Sequence, residues 1–92
     1  MLLAVPRAPD WLPLERALTR EYGEVAREAA IAFWFIGYVD GPHDVGELRV
    51  YEHARTRRRL ALAADGRAYR QPADQVHFSP VALADALIDA LT

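Results

Sequence analysis

The chain has 92 residues, enough for one hydrophobic core and too few for two. Hydrophobic residues make up 52% of it and cysteine is absent, which excludes a disordered chain, disulfides, thiolate metal sites and cysteine nucleophiles together. The formal net charge of −2 argues against a general polyanion binder.

Small secreted domains often depend on disulfides, so a reducing, cytoplasmic setting is expected. All 11 basic residues are arginine, asparagine is missing and alanine is abundant, a pattern that reads first as the mark of a GC-rich bacterial genome. The apolar start, Met1 to Val5, has no basic flank and is too short for a signal peptide. The longest apolar stretch, residues 29–39, spans 11 residues, whereas a membrane span needs roughly 20. A single domain over residues 1–92 is expected, with no membrane partner.

Residues 1–9 carry Pro6 and Pro9 and read as an extended lead-in. Asp10 can cap a helix that tolerates Pro13 in its first turn. Trp11, Leu14, Leu18, Tyr22, Val25 and Ala29 then recur at steps of three or four, predicting a helix over 10–28 that bends or ends at Gly23. From Ile31 to Val39 the chain turns aromatic and β-branched, and Asp40-Gly41-Pro42 stops the run. Phe33, Phe35 and Val39 on one side and Trp34, Ile36 and Tyr38 on the other predict an inner strand covered on both faces. A continued helix is the competing reading of so short a run.

Strands are next predicted over 48–52 and 60–63, around the polar run His53 to Arg59. Asp65-Gly66 turns the chain into a further strand, Arg67 to Arg70. Ser79 as cap and Pro80 at the first helical position open a last helix whose stripe is Val81, Ala84, Leu87, Ile88 and Leu91, with Asp85 and Asp89 facing out. The fold class is therefore α+β: a helix, a four-stranded, mainly antiparallel meander and a C-terminal helix, both helices on one sheet face.

Charge is segregated along this order. Residues 1–48 hold four arginines against eight acids, residues 49–70 seven arginines against two acids, and residues 71–92 three acids and no arginine. Alternation with Leu48, Val50, Leu60 and Leu62 facing the core turns Arg49, Tyr51, His53, Arg59 and Ala61 the other way. That predicts an open basic and aromatic sheet face ending in the hairpin Arg55, Arg57, Arg58, Arg59.

The expected function is that of a non-enzymatic binding module that meets a protein partner, or a second copy of itself, through Arg49, Tyr51, His53, Arg55, Arg57, Arg58 and Arg59. Nucleic acid is the alternative partner, since guanidinium groups pair with phosphate oxygens. A second alternative is a small metal-dependent enzyme built on the loop Asp40 to Glu47, whose three carboxylates and His43 match no standard ligand spacing. The sequence itself implies no cofactor. Thr19, Thr56, Ser79 and Thr92 have no elbow around them, and His43, His53 and His77 are far apart. Trp11 and Trp34 read as core, Trp34 with an interface role open to it. Leu60 to Arg70 followed by a short helix resembles the end of small bacterial immunity proteins of the SUKH type. Strand, Asp-Gly and tyrosine strand are common to many hairpins, and no site is carried over from that resemblance.

Overall fold

The computed structural model describes residues 11–41, 45–71 and 78–92. The expected lead-in, the cap Asp10, and Pro42, His43, Asp44 and His77 lie outside the described residues.

The element order is α1 (Leu12–Tyr22), α2 (Ala26–Ile31), β1 (Phe33–Asp40), β2 (Glu47–His53), β3 (Arg59–Ala63), β4 (Ala68–Arg70), β5 (Ser79–Val81) and α3 (Leu83–Leu91). The single helix expected over 10–28 is two helices. Gly23 ends α1 at φ 82°, a left-handed conformation that costs glycine little and side-chain-bearing residues much, and its N–H still reaches the Thr19 carbonyl. The break takes Tyr22 and Val25 off the buried face, and Val25 is 81% exposed.

The sheet is an antiparallel meander in the order β1-β2-β3-β4-β5. Among the described residues it has five strands where four are predicted. The extra one is Ser79-Pro80-Val81, which pairs with Ala68–Arg70 instead of opening a helix, so α3 begins later, after Ala82. A three-residue strand has too little periodicity to be read, and proline is as much at home on a sheet edge as at a helix start.

Register corrects the predicted faces. Tyr51 lies opposite Leu60, Arg49 opposite Leu62 and Val50 opposite Ala61. Directly opposed residues share a face, so Tyr51, Leu60 and Leu62 point together toward the helices. There they form the main core with Trp11, Leu14, Leu18, Ala26, Ala30, Phe33, Ala86 and Ala90. Leu48, Val50, Ala61, Ala63 and Tyr69 form a second cluster on the other face, with Val45 and Phe78 against it. The sheet is apolar on both sides, and the three helices of the described residues pack on one of them. The Trp11 indole N–H donates to the Phe33 carbonyl at 3.1 Å, tying the start of α1 to the start of β1.

The buried face of α3 is Ala86 and Ala90, flanked by half-buried Leu83 and Leu87, while Ala84 and Ile88 are exposed. This is not the predicted stripe. Alanine, leucine or isoleucine occupies every side of the helix except the line of Asp85 and Asp89, so composition leaves its rotation open. Small alanines let the helix lie close to the sheet.

Candidate functional site

The seven residues expected to form one contact surface are placed in two different settings. Tyr51 is 0% exposed, His53 is buried, and Arg49 is half-buried with its guanidinium 5.8 Å from the centre of the Tyr38 ring. Tyr51 packs edge-on against Phe35, and His53 edge-on against Phe33. The open basic face is thus closed by the helices, because the five-residue connection 54–58 sets β3 against β2 in the opposite phase to the predicted one.

The hairpin arginines are held by partners within the chain. His53 Nδ1 accepts the Arg55 N–H at 3.1 Å and the Thr56 N–H at 3.3 Å, folding the loop back on its own strand. Burial first, and then the charge of Arg55, holds the His53 pKa below its ordinary value. From there the loop reaches the end of α3. The last carbonyls of any helix lack intrahelical donors and carry partial negative charge. Here the Thr56 hydroxyl donates to the Ala90 carbonyl and the Arg55 guanidinium to the Leu91 carbonyl at 3.2 Å. Arg58 Nη2 reaches both carboxylate oxygens of Asp89, at 3.1 and 3.0 Å, and Arg70 stands 3.7 Å from the same group. Asp89, expected to face out, therefore turns into this cluster. Arg59 donates to Glu52 at 3.1 Å, and Arg57, at φ 64°, lies 3.6 Å from it. The run Arg55 to Arg59 works as a clamp between the meander and the C-terminal helix.

Elsewhere, Arg67 pairs with Asp65 across the β3–β4 turn at 2.7 Å. Its backbone N–H, hydrogen-bonded to the same carboxylate, is the first cause that lowers the Asp65 pKa. An open groove of about 570 Å³ beside that turn is lined by Ala17, Arg20, Gly66, Val81 and Leu83 among others.

Most of the exposed apolar surface lies on β1, at the other end of the sheet order from β5. Tyr22, Val25, Ile31, Trp34, Ile36, Tyr38 and Val39 are all exposed, and Ile88 is the one other large hydrophobic residue so exposed among the described residues. Four of them belong to β1. The prediction of an inner strand covered on both faces is overturned: β1 is an edge strand that pairs, among the described residues, with β2 alone. Trp34 is 52% exposed.

A β-bulge between Phe35 and Gly37 alters its pattern. Ile36 is the extra residue, and Gly37 takes φ 142°, which other residues rarely adopt. Beyond the bulge the alternation changes phase. Phe33, Phe35 and Tyr38 end on the helix side, opposite His53, Tyr51 and Arg49, while Trp34 and Val39 end on the other, opposite Glu52 and Leu48. Trp34 and Tyr38 therefore do not share a face. A glycine inside an apolar strand was the available signal, since bulges gather at sheet edges.

The two edges of the sheet differ. Edge strand β5 has three residues with exposed Pro80 at its centre, which has no N–H to offer a further strand. Edge strand β1 has eight residues and no charge before Asp40. A long apolar edge is a template for another strand.

Among the described residues no helix is long and apolar enough to cross a membrane. The chain matches no known family model, curated protein or solved structure at a significant level, so the site rests on its own geometry.

Proposed function

We propose that this chain is a small non-enzymatic binding module that meets another polypeptide along the β1 edge and its flanking apolar residues. The observation that carries this reading is the gathering of exposed Ile31, Trp34, Ile36, Tyr38 and Val39 on one strand and its approach. A contiguous apolar patch on a small protein marks an interaction site, and tryptophan and tyrosine are enriched at binding hot spots. The absence of cysteine and the arginine-only composition support a reducing, bacterial cytoplasm as its setting.

The contact centres on β1 rather than on the arginine hairpin. Arg58, Arg59 and Arg67 each face a carboxylate of the chain, which weakens the case for a phosphate-binding surface.

The test compares the wild-type chain with Trp34→Lys and Ile36→Lys for association of any kind, measured by light scattering of the pure protein and by its recovery of partners from cell extract. Both substitutions are expected to abolish the association without changing the circular dichroism spectrum. Identical behaviour of all three proteins in both assays would remove the edge as the contact surface.

A further inference from the structure

We propose that the occupant of the β1 edge is a second copy of this chain, seated antiparallel about a two-fold axis between Ile36 and Gly37, which joins two five-stranded sheets into one. The inference rests on the reading of β1 as the contact edge and adds the identity of the partner.

Charge is unevenly distributed along the edge. At one end Asp40 and Glu47 lie directly opposite each other in the β1–β2 ladder, both exposed. Like charges so placed are destabilising, and neither carboxylate has an ion pair among the described residues. At the other end Phe33 lies opposite His53, and the hairpin that follows begins with the Ala54 N–H on the Ala32 carbonyl at 2.8 Å. That hairpin brings Arg57, whose side chain is largely exposed 3.6 Å from Glu52, and Arg55, which donates to the Leu91 carbonyl and has no carboxylate partner among the described residues. The edge is thus acidic at its C-terminal end and basic at its N-terminal end.

An antiparallel copy places each end against its opposite. With adjacent strands about 4.8 Å apart, Asp40 of the second copy comes beside Phe33, about 10 Å or two strand spacings from the start of the hairpin that carries the exposed Arg57 side chain. The two-fold axis repeats this pairing at the other end. A parallel copy would set acid beside acid and arginine beside arginine.

The bulge suits the same arrangement. In a regular strand an axis between two successive residues would oppose side chains from different faces. The bulge at Ile36 shifts the phase by one, so the faces agree. Trp34 of one copy then meets Val39 of the other on one side of the joined sheet, and Phe35 meets Tyr38 on the helix side. Phe35 and Tyr38 already stack edge-on within one chain, with centroids 5.3 Å apart, so the pairing extends an aromatic row across the axis.

Sedimentation and light scattering over a dilution series from tens of micromolar downward test the proposal on the intact chain. The expected result is a concentration-dependent dimer. Asp40→Arg and Arg57→Asp, each alone, are expected to weaken it by about tenfold or more, and the double variant to regain most of the loss. Both sites are exposed, and Arg57 sits in a left-handed conformation that aspartate tolerates, so matching urea midpoints should establish that the variants fold. A dimer indifferent to Trp34→Lys and to the charge exchange would overturn both the proposal and the edge reading. A chain that stays monomeric throughout, yet loses an extract partner on Trp34→Lys, would overturn the second copy and leave the edge reading in place.

Discussion

The arginine hairpin and the β1 edge show opposite relations between what is conspicuous in a sequence and what is available in a fold. The hairpin concentrates charge, yet much of it is met at home: Asp89 takes Arg58, Glu52 takes Arg59, and the Leu91 carbonyl at the end of α3 takes the Arg55 guanidinium. The edge is built of residues that belong in a core, yet it holds Trp34, Ile36, Tyr38 and Val39 in solvent. Charge density alone therefore does not locate a contact surface. What matters is whether each group has a partner within the chain.

On this contrast, changes at Tyr51, His53 and Arg58 act on stability, and changes at the edge act on association. The largest expected effect is at Tyr51, fully buried between β1 and the helices. Tyr51→Ala is expected to lower the unfolding free energy by ~3–5 kcal/mol in urea titration, where a contact residue on an open face would cost little. Arg58→Ala comes next. Losing the forked, half-buried pair with Asp89 is expected to cost about 1–2 kcal/mol in the same titration, reduced from a fully buried pair by its partial exposure.

A smaller effect follows from His53, which accepts two backbone N–H groups and is held neutral by burial and by Arg55. Its folded pKa lies below the ordinary value of about 6.5, so the unfolded chain takes up the proton first as pH falls. Stability from this group is complete above about pH 6.5 and declines as pH drops from there toward the folded pKa. Urea midpoints measured across that window should fall in the wild type and flatten in His53→Gln. The smallest effect on stability belongs to the edge: at a dilution where the chain is monomeric, Trp34→Lys is expected to change the unfolding free energy by less than about 1 kcal/mol, as exposed positions do. A Trp34→Lys variant as unstable as Tyr51→Ala would erase the contrast.

The sequence reveals much of this fold for identifiable reasons. Asp65-Gly66 and the breaks at Asp40 and Gly41 punctuate the meander, and alternation marks β2 and β3. Alternation assigns two faces to each strand but does not fix the phase between strands. That phase is set by the backbone of residues 54–58, where Arg57 takes a positive φ and His53 gathers the turn. This is why Tyr51 reads as outward when it is central to the core. Nor does a two-sided apolar strand reveal its place in the sheet order. An inner strand and an edge strand awaiting a partner carry the same residues, and Gly37 is the local sign that separates them. Trp34 alone of the edge residues is visible in the sequence as an interface candidate, through a face shared with Tyr38 that the bulge then removes.

The cysteine-free chain permits a direct test of the paired edge. Ile36→Cys places a single thiol beside the two-fold axis, within bridging range of its mate in the second copy. Ile88→Cys places one on α3, where the side chain is equally free of the core. Under mild oxidation Ile36→Cys is expected to give a covalent dimer and Ile88→Cys to remain a monomer. A monomeric Ile36→Cys, or equal cross-linking at both positions, would contradict the paired β1 edge.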